Sequence, residues 1–301
     1  RVSACIATAG PGATNLVTGI ATAYMDSVPV VAITGNVTVP LLGKDSFQEV
    51  DITGITMPVT KHNFIVKDVN DLARTIRLAF QIAQEGRPGP VLIDVPKDVT
   101  VEYAEYERHV IEPVKPRSDR ISEQALSAAL ELIHNAERPV CFVGGGVVRA
   151  RASKELTEFI EKIDAPVCAS MMGIGAIPTT STRYTGMVGM HGTKVSNMIV
   201  SMCDLLIVIG SRFSDRVVSK ASAFARGANI IHIDVDPAEI DKNITATVGI
   251  VGDVRIVLKE LNRRIDKQIS SNGWMDQVYS YKERFPIRIE SENQRSKEVL
   301  K

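Results

Sequence analysis

The sequence predicts an α/β protein of two doubly wound parallel-sheet domains, and three observations lead there. Short β-branched runs, apolar throughout, alternate with segments of helical period, the pattern of parallel strands covered on both faces. The alternation occurs twice, on either side of a charged stretch containing proline. The 301 residues suffice for two domains, and 45% apolar with 5% aromatic residues provides an aliphatic core.

In the first series Val2–Thr8 reads as a strand, Ala13–Met25 as a helix, Val28–Thr34 as a strand, Val69–Gln84 as a helix and Val91–Val95 as a strand. The sequence opens inside a strand with no initiator Met or signal segment, so it is expected to be an internal piece of a longer chain. Residues 102–120 are rich in charge and Pro and are expected to link a domain over 1–101 to one over 121–269. In the second series Ser122 is a candidate N-cap for a helix through Asn135, with Glu123 favoured in its first turn. Strands follow at Pro139–Val143, Val167–Ser170, Leu205–Ile209, Ile230–Val235 and Thr247–Val251, with helices at Ala152–Ile163, Val195–Met202 and Val254–Ile269. The polar stretch 270–301 is expected to be a second linker towards a further domain.

Charge and cysteine usage narrow the function classes. Lys plus Arg total 35 and Asp plus Glu total 35, with no basic cluster, which argues against nucleic acid and anionic membrane surfaces. No apolar run reaches membrane-spanning length, so a soluble protein is expected. Cys5, Cys141, Cys168 and Cys203 form no CxxC pair and read as reduced thiols of a cytoplasmic protein. His62, His109, His134, His191 and His232 lack metal-ligand spacing, and no metal site is assigned.

The segment Ala9-Gly10-Pro11-Gly12-Ala13-Thr14-Asn15 lies between a strand and a helix. Its glycines permit positive φ and close approach of a ligand to backbone N–H groups, though a plain tight turn has the same composition. It is neither a Walker loop nor a GxGxxG fingerprint. After it come a Gly-led polar loop (Gly43 to Asp51), Thr60-Lys61-His62-Asn63, Gly86-Arg87-Pro88-Gly89-Pro90 and Pro96-Lys97-Asp98. In the second series Gly144-Gly145-Gly146 follows a strand, and Met190-His191-Gly192 and Arg212 to Arg216 follow later. Met171 and Met172 are expected to be buried gap-fillers, and Lys61 and His62 to be structural.

Taken in order, GPGATN, GKDSFQEVDI, TKHN, GRPGPVLIDVPKD, GMHG, RFSDR and HIDVDPAEI resemble the acetohydroxyacid synthase (acetolactate synthase) large-subunit family over essentially the whole chain. The resemblance implies part of a thiamine-diphosphate pyrimidine-binding domain followed by a central FAD-binding domain. In the intact enzyme it implies condensation of pyruvate with pyruvate or 2-oxobutyrate, with loss of CO2, in branched-chain amino-acid biosynthesis. Gly10 and Gly12 would face thiamine diphosphate. Phe47 and Gln48 would reach the active cavity across a dimer interface, and Lys97 would stand at the substrate entrance. Arg87, Gly144, Gly145, Gly146, Gly189, His191, Gly192, Arg212, Asp234, Val235, Glu239, Gly252 and Asp253 would contact FAD. Met190 would line the flavin side of the site, and Arg216 would hold the carboxylate of the second 2-oxo acid, a task that suits a guanidinium fork. Implied partners are 2-oxo acids and a second copy in a homodimer or tetramer, and the resemblance leaves a small regulatory subunit open.

The chain departs from the family at Ser214, where many members have Asp, and at Asn36 and Thr38, where many have Gln and Pro. Thr38 and Ser46 lie where such enzymes meet inhibitors, which leaves inhibitor sensitivity undetermined. The family's catalytic His-Glu-Gln segment does not occur, nor does its Mg2+-binding Gly-Asp-Gly followed by Asn, since Gly252-Asp253 continues with Val254. The chain by itself is therefore expected to be inactive. Alternatives are a related enzyme of the pyruvate oxidase or glyoxylate carboligase type, a catabolic acetolactate synthase without FAD, and a non-catalytic nucleotide-binding module. An NAD-dependent dehydrogenase is disfavoured because Gly144-Gly145-Gly146 lacks the small residue that GxGxxG requires.

Overall fold

A division at Pro116–Arg117 separates two units of the chain. The computed structural model describes residues 2–109, 113–114, 121–218, 224–266, 269 and 273–286. The expected linker over 102–120 lies partly outside the described residues, and its described part carries no helix or strand.

Four parallel strands form the sheet of the first unit: β1 (Ser3–Ala7), β2 (Val30–Asn36), β3 (His62–Ile65) and β4 (Val91–Pro96), in the order β1-β2-β4-β3. Helices α1 (Pro11–Asn15), α2 (Val17–Met25), α3 (Ile52–Thr56) and α4 (Val69–Gln84) complete it. Every residue of β4 is buried, apolar at each position but Asp94. Val91, Ile93 and Val95 pack on one face with Ala79 and Ala83 of α4, and Leu92 packs on the other with Ala13 and Ile20. α4 starts where the Asp68 carboxylate accepts the Asn70 N–H at 2.8 Å. It stops where Lys61 Nζ donates to the carbonyls of Ile82 and Glu85, ahead of Gly86 at φ +58°. Lys61 is thus a helix cap.

The expected helix Ala13–Met25 is two helices joined at Leu16, whose N–H bonds Ala13 O in a tightened three-residue turn. The strand expected over Val28–Thr34 begins later, because the Val28 N–H still serves the end of α2 through Ala23 O. β3 is an added edge strand whose polar start concealed it.

The second unit holds α5 (Glu123–Asn135), β5 (Pro139–Val143), α6 (Gly145–Arg149), α7 (Ser153–Lys162), β6 (Val167–Ala169), β7 (Tyr184–Met187), α8 (Lys194–Met202), β8 (Leu205–Ile209), β9 (Asn229–Asp234), β10 (Val248–Val251), α9 (Val254–Arg264) and α10 (Trp274–Arg284). Its sheet is wholly parallel in the order β10-β9-β8-β5-β6-β7. Counted within the unit that order is 6-5-4-1-2-3, a doubly wound sheet whose topology reverses between β5 and β8. Alternate residues feed two cores: Cys141 and Val143 of β5 face α5, α7 and α9, while Val140 and Phe142 face α8 and α10.

Three expectations are corrected here. The stretch from 270, expected to be linker, contains α10, whose Trp274, Met275 and Val278 are buried. Trp274 Nε1 donates to Pro139 O at 3.1 Å and Lys282 Nζ to Thr182 O at 2.7 Å. Helical spacing of Trp274, Val278, Tyr281 and Phe285 was masked by the charges between them; residues 287–301 lie outside the described residues. The helix expected to run to Ile269 ends at Arg264. Met171 and Met172, expected to be buried, are 71% and 49% exposed. Among the described residues no helix is long and apolar enough to cross a membrane.

Candidate functional site

Loops at the carboxyl ends of the strands gather most of the candidate residues, and in the second unit they centre on the reversal point. A Cβ at Gly144 would lie 2.3 Å from Gly210 O and 2.6 Å from Ser211 Cα, and one at Gly146 would lie 2.7 Å from Gly210 Cα. The N–H of Gly144 reaches Ile209 O at 3.0 Å and that of Gly146 reaches Gly210 O at 2.9 Å. Glycine is required here because two backbones meet, one leaving β5 and the other leaving β8.

The loop after β8 carries Arg212, half-buried, and Arg216, exposed. It meets the loop after β7, where Gly189 adopts φ +104° and the Met190 N–H donates to Arg216 O at 2.9 Å. Arg216 Nη1 lies 3.9 Å from Met190 Sδ. Its Nε is 3.8 Å from Asp215, with both side chains mostly exposed, a pair too solvated to fix the guanidinium. Asn197 clamps Gly189 from both sides, accepting its N–H at 2.9 Å and donating to its carbonyl at 3.0 Å. The structure therefore joins Gly189, Met190 and Arg216, with Gly192 packed on the backbone of Met187 and Gly189 and His191 exposed beside them.

Acids occupy the ends of β9 and β10. Asp234 is 8% exposed, accepts the Asp236 N–H at 2.9 Å, and through its carbonyl accepts the Gly252 N–H at 2.9 Å. Val235 follows half-buried, and buried Glu239 pairs with Lys242 at 3.1 Å. Asp253 caps α9, accepting from the N–H groups of Arg255 at 3.0 Å and Ile256 at 3.2 Å.

In the first unit Gly10 adopts φ +57°, and a Cβ there would lie 2.6 Å from Gln48 O. Gln48 itself is left-handed at φ +59°. The structure thus brings the Gly10 turn against the Gln48 backbone, while Gly12 packs against Thr8 and Phe47 stands 88% exposed. Glu49 organises the same loop by accepting the N–H groups of Gly43 and Ser46, and those bonds hold its carboxyl below the usual range. Exposed Lys97 follows β4, and its N–H donates to Asn36 O at 3.1 Å. Beneath it Asp94 is buried, accepting from Thr34 Oγ1 at 2.7 Å and from Asn36 Nδ2. Burial pushes the Asp94 carboxyl up, against the pull of its bonds from Asn36 and Thr34. Arg87 donates to Ser27 Oγ at 2.9 Å and lies 5.9 Å from the Tyr24 ring centroid.

Sequence reasoning missed Asp94, Asn197, Glu49 and His232 as organisers of these loops. Asp94 and His232 had a usable signal, a polar residue inside an otherwise apolar strand run. Asn197 and Glu49 had none, since their partners are backbone atoms whose position only the fold sets. Among the described residues no group of three or more His, Cys, Asp or Glu is placed to hold a metal ion.

Two parallel sheets with ligand-type loops at one end of each define an α/β cofactor-binding architecture. Residues 1–55 match the family model described as "Thiamine pyrophosphate enzyme, N-terminal TPP binding domain", and residues 126–261 match "Thiamine pyrophosphate enzyme, central domain". The chain belongs to the thiamine pyrophosphate enzyme family. Within that family it is similar to acetolactate synthase large subunits. Identity is 44% with that of Cyanidium caldarium, over 96% of this chain and 52% of the relative. It is 48% with the probable acetolactate synthase large subunit of Methanocaldococcus jannaschii, over 92% and 48%. It is 46% with the acetolactate synthase of Mycobacterium bovis, over 95% and 48%. The chain spans about half the length of these curated relatives.

Proposed function

We propose that the chain forms part of the catalytic subunit of an acetohydroxyacid synthase that condenses pyruvate with pyruvate or 2-oxobutyrate, with loss of CO2. The observation that carries the assignment is the gathering of GGG, GMHG, RFSDR and HIDVDPAEI at one end of the six-stranded sheet. On this reading the subunit acts in the cytoplasm as a homodimer or tetramer formed through the pyrimidine-binding domain, and a regulatory subunit stays open. Thiamine diphosphate supplies the carbanion chemistry when bound; FAD has no obligatory redox part.

The second unit fits FAD. The Gly144–Gly146 turn sits at the reversal point, where dinucleotides bind in doubly wound sheets, against Ser211, and Arg212 follows Ser211 in the chain and would supply charge for phosphates. Asp234 and Glu239 at one side suit ribose hydroxyls. Met171, Met172 and Ile174, exposed beyond β6, offer a soft apolar surface to a flat ring. Arg216 is exposed, paired with Asp215 only through a solvated contact, and would grip the acceptor carboxylate through two parallel hydrogen bonds. In the first unit Gly10, Gly12, Phe47 and Gln48 would line the thiamine side, and Lys97 would draw in the anionic substrate. No Mg2+ ligands are assigned to this chain.

A full-length protein containing this chain should make acetolactate from pyruvate when given thiamine diphosphate, Mg2+ and FAD. An oxidised two-carbon product, or carboligation of glyoxylate alone, would overturn the assignment in favour of a sister enzyme. In that protein Arg216→Ala should keep its flavin and lose acceptor use by a factor corresponding to about 2–5 kcal/mol. Arg216→Lys should restore only part of it, since a point charge replaces a planar fork. Unchanged acceptor affinity at full flavin content would remove Arg216 from this role. The 301-residue chain alone should make no acetolactate above a protein-free blank.

A further inference from the structure

We propose that His232 is the positioning residue that fixes the course of the loop Ser211–Val218, and through it Arg212 and Arg216. His232 lies in β9, in register with Val208 of β8 and Gly249 of β10, and is 0% exposed. Its Nε2 is 3.0 Å from Ser211 O. A carbonyl only accepts, so Nε2 carries the proton and donates. Nδ1 is buried and has no hydrogen-bond partner among the described residues. Leaving a buried acceptor unmatched is costly, so a side chain chosen for packing alone would be apolar here. What the imidazole adds is a donor at the distance of the Ser211 carbonyl.

The grip is made at two adjacent points of one strand. The Gly210 N–H donates to Ile233 O at 2.8 Å, and the neighbouring His232 side chain holds Ser211 O. The ring also packs edge-on against Phe213, centroids 5.1 Å apart, and Phe213 packs against Phe224 at 5.8 Å. Asn243 Nδ2 donates to Phe213 O at 2.8 Å, and beyond Phe213 the loop is shaped by its own turn, with the N–H groups of Val217 and Val218 reaching Ser214 O at 3.0 and 2.8 Å, and by the Met190 N–H on Arg216 O. His232 therefore sets where the loop departs from the sheet, and the turn carrying Arg216 follows from that departure. That the loop serves FAD and the acceptor rests on the proposed function; that His232 positions it does not.

Hydrogen exchange on the full chain, read by mass spectrometry, tests the role. His232→Leu should raise exchange of the Ser211–Val218 peptide at least about tenfold while β5 and β8 stay protected. His232→Gln, whose amide can donate from nearly the same place as Nε2, should bring the loop back to within about threefold of the unmodified chain. Unchanged loop exchange in the Leu variant, or a Gln variant no better than the Leu variant, would overturn the proposal. Should the Leu variant fail to fold, nitrogen NMR on the unmodified chain decides: a proton on Nε2 supports the positioning role, and a proton on Nδ1 contradicts it. FAD binding measured on the same proteins judges the proposed function separately. Loss of loop protection without any FAD binding by the unmodified chain would uphold His232 and defeat the flavin assignment.

Discussion

The turns Ala9–Asn15 and Gly144–Gly146 look alike in sequence, each a glycine-rich passage from strand to helix, yet glycine is needed in them for different reasons. Gly10 sits at φ +57°, a conformation that side chains disfavour, and its neighbour Gln48 is only a loop away. Gly144 has an ordinary extended φ of −117°; it is glycine because the backbone of Gly210 and Ser211 occupies the space of a side chain. The first is a local conformational demand combined with a contact, the second a meeting of two strand ends at the reversal point of a sheet. A glycine can thus mark ligand approach, backbone strain or chain crossing, and the motif alone does not say which.

Substitution separates the two. Gly144→Ala should destabilise the second unit most, by about 3 kcal/mol in urea denaturation, because the added carbon meets backbone that cannot step aside. Gly10→Ala should cost the first unit about 2 kcal/mol, the left-handed penalty plus the clash with Gln48 O. Gly43→Ala is the control: φ is +76° but the space is open, so about 1 kcal/mol is expected. If Gly43→Ala costs as much as Gly144→Ala, crowding by the crossing backbone adds nothing beyond what an open glycine loses, and the distinction fails.

A pH series gives a gentler effect, confined to the second unit. Burial holds the His232 imidazole below its ordinary value near 6.5, although Ser211 O, Glu239 and Asp241 draw it back up. The unfolded chain therefore takes the proton first, so stability should be level above about 6.5 and fall as pH drops through that value. It should level off again once the folded imidazole is also charged. His232→Gln should remove that slope and leave the acid loss of carboxylates such as Glu155, whose burial is outweighed by its bond from Arg255 together with a backbone bond and the charges of Arg255 and Lys259, at lower pH. A slope that persists in the Gln variant would assign it elsewhere. Smallest of all, Arg216→Lys should change stability by no more than about 0.5 kcal/mol, since its ion pair with Asp215 is solvated.

How much the sequence disclosed follows from the range of the forces involved. Leu205–Ile209 was legible because a strand buried on both faces is apolar at every position, and Val91–Val95 because it is apolar at every position but Asp94. β3 and α10 were hidden: the one is a short edge strand with a polar start, the other a helix whose buried stripe is interrupted by charges. Of the candidate site, the glycines and Arg216 stood out by residue type and motif. The His232 bond to Ser211 could not be read, because only the pairing of β8 with β9 brings the two together, and the Asn197 clamp on Gly189 depends on how the loop before α8 turns back on its helix.

The claim at the centre is that the strand ends around Gly144, Arg212 and Asp234 hold FAD. Equilibrium dialysis of the folded chain against FAD tests it most directly, with flavin absorbance as the readout and Arg212→Ala as the comparison. The account predicts flavin retained by the unmodified chain and held more weakly by the variant. A chain that keeps its α/β circular dichroism yet retains no flavin above the buffer would contradict it.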